Sequence, residues 1–284
     1  MLSSSPLATV VTDPGSLTLI ALVGLAYATG LREWRAYAGR PVVTGGQQLM
    51  FWAALAVTAV AVASPLDSLS ARTMTAHMAQ HVLLLNVAGP LFALGAPVPT
   101  LLWALPASWR RRALRASRRL TRSHDRWQVA WVAASLLVEG TVLIGWHFPA
   151  LYDAALHNQG VHLVEHLTLL LTSTVSWWAV VTGRRSRRGA AAVAALVGSL
   201  SGIVLGSALV VIPHPLYPPY VHGLGAAAIA DAVADQRMAG VIMWAFGGLL
   251  EDIIGAALFA SWLAMTHERP EESYAVPPLP GVPS

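Results

Sequence analysis

Long apolar runs separated by short polar breaks dominate this chain, and few of the runs are interrupted by charge. Seven of them, near residues 16–30, 48–64, 75–94, 128–146, 161–182, 190–212 and 238–265, are long enough, or nearly so, to cross a hydrocarbon core of ~30 Å at a helical rise of ~1.5 Å per residue. The pattern predicts an all-α integral membrane protein: an extracytoplasmic leader over 1–15, a seven-helix transmembrane bundle over 16–265 and a disordered cytoplasmic tail over 266–284. The leader has no arginine and carries Asp13 and Pro14, so it does not read as a cleaved signal peptide, and the first run is expected to be a permanent helix. Pro90, Pro97 and Pro99 predict that the stretch 91–103 is a bent continuation of the third helix.

Composition agrees with lipid as the solvent, since 55% of the residues are hydrophobic and only 11% are charged. All 18 basic residues are arginines, and they cluster between apolar runs rather than forming the basic face that nucleic-acid binding requires. Sixteen of them fall in alternate breaks: Arg32, Arg35 and Arg40, eight from Arg110 to Arg126, then Arg184, Arg185, Arg187 and Arg188, and finally Arg269. Only Arg72 and Arg237 lie in the other set, so the positive-inside rule predicts an outside amino terminus and a cytoplasmic carboxyl terminus. The basic stretch 110–126, flanked by Trp109 and Trp127, suits an amphipathic helix lying on anionic membrane lipid.

Two histidine pairs, His77 with His81 and His162 with His166, have the four-residue spacing that places both rings on one face of a helix. On the predicted topology both helices run in the same direction, so His77 and His162 share one depth and His81 and His166 lie a turn deeper. His147 closes the fourth run on the same side. Cysteine is absent, which leaves imidazole, thioether and carboxylate as metal ligands. The candidate metal ligands are therefore His77, His81, His147, His162 and His166. Candidate supporting residues are Met74, Met78, Glu165, Asp235 and Met238, with Glu165 read as a carboxylate that orients a ligand imidazole. Imidazole suits copper, zinc and haem iron, and the nearby thioethers make copper(I) a plausible guest, with bis-histidine haem ligation as the alternative.

Other readings are weaker. His162-Leu163-Val164-Glu165-His166 matches the HxxEH order of inverted zinc proteases, but no third ligand or soluble catalytic domain accompanies it, and the chain is not expected to be an enzyme. Glu139, Glu251 and Asp252 lie inside predicted spans, where carboxylates are functional by default, and they leave a copper-transport path open.

Several strings make a resemblance specific. His77-Met78-Ala79-Gln80-His81 precedes Gly89-Pro90-Leu91 and Leu94-Gly95-Ala96-Pro97; Trp146-His147-Phe148-Pro149 opens a run through Leu156; the pair His162 and His166 follows, then Asp235-Gln236-Arg237-Met238-Ala239-Gly240. In this order the strings resemble the CtaG-type cytochrome c oxidase assembly factors. The resemblance implies a multi-pass protein of the bacterial plasma membrane that helps mature a haem–copper oxidase, most plausibly at its copper centre. It also implies oxidase subunits, and other copper chaperones, as partners. Carried over by position, the motif residues are His77, His81, His147, His162, His166 and Asp235. The adjacent Glu251 and Asp252 depart from the apolar run expected there.

Overall fold

The structure is a computed structural model that describes residues 14–182 and 188–267. It is all-α. The helices are α1 (Pro14–Ala38), α2 (Gly45–Val62), α3 (Pro65–Ser70), α4 (Met74–Val82), α5 (Gly89–Gly95), α6 (Pro97–Ala104), α7 (Ala107–Trp146), α8 (Pro149–His157), α9 (Gln159–Val181), α10 (Arg188–Gly198), α11 (Leu200–Val211), α12 (Ala226–Ile242) and α13 (Leu249–His267). Among the described residues seven helical stretches are long and apolar enough to span a membrane. The expectations for the leader and the tail fall almost wholly outside the described residues.

The third span runs unbroken from Met74 to Gly95 and is the most buried of the seven. Within it Leu83–Ala88 widens into a π-helix, and a second π-helix, Met243–Gly248, joins α12 to α13. Both wider turns are held by side chains from neighbouring helices. Ser173 of α9 donates to the Leu85 carbonyl at 2.5 Å, and Asn86 donates its amide to the Gly247 carbonyl at 3.1 Å. Gly89 lets α5 and α9 approach, since a Cβ there would lie 2.2 Å from Ser173 Oγ.

Three boundaries differ from the sequence expectation. The stretch after the third span is not one bent helix: the chain breaks at Ala96, the one described non-glycine residue with positive φ, and restarts as α6, which packs on α1. The arginine-rich stretch is continuous with the fourth span in a single 40-residue helix, kinked at Trp127 where the backbone leaves helical geometry. The last span begins at Ala226, twelve residues before Met238, so Asp231 and Asp235 are helical rather than loop residues. That stretch extends 39 residues, about 58 Å at helical rise, which exceeds the thickness of the hydrocarbon core.

Local caps position the histidine helices. Thr73 accepts from the N–H of Ala76 at the start of α4, and Asn158 accepts from Gly160 and Val161 at the start of α9. Asp235 of α12 adds a cap from outside: its carboxylate accepts the N–H groups of Met74 at 2.6 Å and Thr75 at 3.2 Å. The next residue, Gln236, accepts from Leu216 N–H at 2.8 Å and donates to the Leu209 carbonyl, joining the end of α11 and the segment after it to α12.

Candidate metal centre

The two histidine pairs face each other across α4 and α9. Ring centroids lie 4.5 Å apart for His77 and His81, 4.1 Å for His162 and His166, 5.4 Å for His77 and His162, and 6.0 Å for His81 and His166. The depth matching read from the spacing is thus realised pair by pair. His77, His81 and His166 are buried, and His162 is half-buried.

Glu165 occupies the junction. Its Oε1 is 3.6 Å from His77 Nε2 and 3.3 Å from His81 Nε2, and the carboxylate is fully buried. Two sets of potential ligand atoms lie within 4.8 Å of one another, His77 with His81 and Glu165, and His162 with Glu165 and His166. Glu165 belongs to both, so the structure places it at the centre as a ligand candidate rather than behind one imidazole. Both ring nitrogens of His77 and His81, Nε2 of His166 and both Glu165 oxygens are buried without a hydrogen-bond partner of acceptable geometry among the described residues. Unsatisfied buried polar atoms are costly, and a group of them converging on one point is what a cation would complete. The donor set of imidazole nitrogen and one carboxylate fits copper or zinc.

His147 flanks this group, with its ring 5.6 Å from that of His81. Its Nδ1 donates to the Leu143 carbonyl at 2.8 Å, and its Nε2 is 3.3 Å from Met78 Sδ. A carbonyl can only accept, so the proton resides on Nδ1 and the Nε2 lone pair faces the thioether. Burial holds the His147 imidazole far below its ordinary range, at about 3, and therefore neutral. An imidazole nitrogen and a soft thioether thus border the centre side by side.

The other supporting candidates divide. Met74 is buried in the apolar core with Leu85, Leu169 and Tyr152. Asp235 is occupied by the backbone N–H groups of Met74 and Thr75 at the start of α4, so it supports the centre by positioning that helix. Met238 is 54% exposed, on the side of α12 opposite buried Gln236, Ala239 and Gly240, and is not brought to the centre. Met243 is the methionine of that region that turns inward.

Three tyrosines outside the spans, which sequence reasoning did not single out, close the histidine end. Tyr152 of α8 lies over His77 at 4.7 Å between centroids and stacks on Tyr217 at 4.0 Å. Tyr217 donates to the His147 carbonyl at 2.8 Å, and Tyr220 donates to the Ser70 carbonyl at 3.0 Å. With the Tyr220 hydrogen so used, Tyr152 donates to the Tyr220 oxygen at 3.1 Å. Burial raises all three phenols above their ordinary range, so they remain donors. The only sequence signal for them was that Tyr152 falls within the string following His147.

A family model described as cytochrome c oxidase caa3 assembly factor (Caa3_CtaG) matches residues 25–265. Comparison with curated proteins and with solved structures gives no significant match. The matched region contains the whole histidine–glutamate centre, the tyrosines above it and the Asp235–Gln236 brace, and covers most of the chain; the protein belongs to the Caa3_CtaG family of cytochrome c oxidase assembly factors.

Proposed function

We propose that this protein is a non-enzymatic assembly factor that takes a copper ion into the His77–His81–Glu165–His162–His166 centre and presents it to a subunit of a haem–copper oxidase. The observation that carries the reading is Glu165, a buried carboxylate shared by two half-sites whose histidine nitrogens converge on it. A carboxylate bridging two sets of imidazoles gives an ion two adjacent resting positions, which suits a carrier that must both hold and release. The arginine distribution supports an outside amino terminus in a bacterial plasma membrane, which puts the centre near the outer face, where a copper chaperone would deliver its cargo.

Glu165 fills the space between the facing pairs, which favours an ion over the haem alternative: a macrocycle clamped between His81 and His166 would have to displace it. The test is metal analysis of purified protein loaded with copper(I) and copper(II), beside the double variant His81→Ala and His166→Ala. Copper retained by the native chain and lost from the variant is expected. A native chain that retains none in either oxidation state, or that shows a haem Soret band, overturns the reading. Deleting the gene should leave an oxidase that keeps haem and lacks copper.

A further inference from the structure

The mechanism above leaves unused a second polar group buried deeper in the bundle. Glu139 of α7 and Glu251 of α13 line two adjoining cavities; the first also includes His81, Asn86, Ser199 and Met243, and the second Ser176. Glu139 is only 9% exposed. The first cavity has room for about two water molecules. None of its lining residues is a lysine or an arginine, and His81 is the one histidine among them. Two buried carboxylates in a medium of low dielectric cannot both stay ionised unless a cation shares the space.

Two observations point to a proton as that cation. Asn86 donates the same amide nitrogen to the Gly247 carbonyl and to Glu251 Oε1, each at 3.1 Å. Because the carbonyl can only accept, the amide is fixed with its NH2 toward the carboxylate, an orientation that repels a metal ion. Ser176 Oγ, 1% exposed, lines the cavity with both glutamates and makes no hydrogen bond within its own helix, which leaves its hydroxyl to the Glu139 carboxyl. Its neighbours Thr168, Thr172 and Thr174 instead donate to carbonyls of their own helix. Beside the pair, Ser199 Oγ contacts both the Leu196 carbonyl at 2.8 Å and Asp252 Oδ1 at 2.9 Å.

From this juxtaposition of Glu139, Glu251, Asn86 and Ser176 around one cavity we infer that the two glutamates form an intramembrane proton-binding site. The two π-helices meet there through Asn86 and Gly247, and irregular helix of this kind accompanies functional sites. His81 on α4 and Asp252 on α13 are the other titratable groups facing the pair; α9 and α11 contribute hydroxyls, and α10 contributes no titratable side chain to either cavity. The cavity reaches the wall of the histidine centre at His81. The inference does not depend on copper occupying that centre.

Dicyclohexylcarbodiimide, which enters lipid and reacts only with protonated carboxyls, tests it on the full-length protein in liposomes. Peptide mapping should find a single adduct on Glu139 or Glu251, declining as pH is raised, unchanged by sodium or copper and lost in the Glu139→Gln, Glu251→Gln double variant. No adduct on either residue from acid to alkaline pH, or protection by sodium or copper, overturns the proposal. Infrared pH-difference spectra of the native chain provide a second measurement that needs no variant: a buried protonated-carboxyl band is expected, and its absence counts against the site.

Discussion

Asp235 and Met74 are 161 residues apart, yet the carboxylate of one closes the first turn of the helix begun by the other, at 2.6 Å. That contact fixes where α4 starts, and hence the depth of His77 three residues later. Replacing Asp235 with alanine removes two helix-terminal hydrogen bonds to a charged acceptor and should cost about 2 kcal/mol of stability. Thermal unfolding in detergent should show the loss, and metal affinity should fall with it although no ligand has been touched.

Glu165→Gln keeps the size of the side chain and removes the charge shared by the two half-sites. Copper affinity is expected to fall by at least about 10- to 100-fold, the range seen when even indirect partners of metal ligands are lost. The same variant should lose most of the copper-induced rise in melting temperature, which for the native chain corresponds to about 2.7 kcal/mol at a hundredfold excess over Kd. Competition titration and a melting series with added copper measure the two effects.

Met78→Leu separates packing from ligation. Leucine conserves volume, so the stability change should stay under about 1.5 kcal/mol. The thioether facing His147 Nε2 is gone, however, so copper(I) should bind more weakly while zinc is little affected. Parallel titrations with the two ions report the difference.

The tyrosine layer predicts behaviour in alkali. Tyr217 and Tyr220 have phenols raised by burial, so the unfolded chain loses these protons at a lower pH than the folded one. Their contribution is present below the ordinary phenol range near 10 and is lost as pH rises beyond it, so the melting temperature should fall there. Tyrosinate absorbance from these groups should appear together with unfolding. At neutral pH, Tyr217→Phe should cost about 1 kcal/mol through its single bond to the His147 carbonyl.

Packing between α11 and α12 gives a sharper steric test. A Cβ on Gly240 would sit 2.6 Å from the Gly206 carbonyl oxygen, against backbone that cannot turn aside. Gly240→Ala should destabilise by about 1–3 kcal/mol, measured by denaturation in detergent.

Much of this arrangement was legible from residue spacing. Four-residue periodicity put each histidine pair on one face, and the apolar runs located the seven spans to within a few residues at most of their ends, because both signals are local to a helix. The inward side of α12 could also have been read: Gln236, Ala239, Gly240 and Met243 recur at helical spacing, which leaves Met238 opposite. The start of that helix was missed because Asp231, Asp235 and Arg237 look like a solvated loop, whereas Asp235 is balanced by backbone N–H groups from a distant element. The π-helices were invisible for a related reason, since a hydroxyl from α9 and an amide contact between the two π-helices hold the widened turns. Nor could spacing place Glu165 at the centre, as the choice between one imidazole and four depends on how closely α4 and α9 approach.

The complete burial of His77, His81 and Glu165 has a kinetic consequence. On the proposed role, an acceptor cannot reach these three side chains directly, so an ion held by them alone would depart only when the protein opens. Release in that role would be first order in this protein and would stop accelerating once acceptor is in excess, because the opening of the fold, rather than the encounter between proteins, would set the pace.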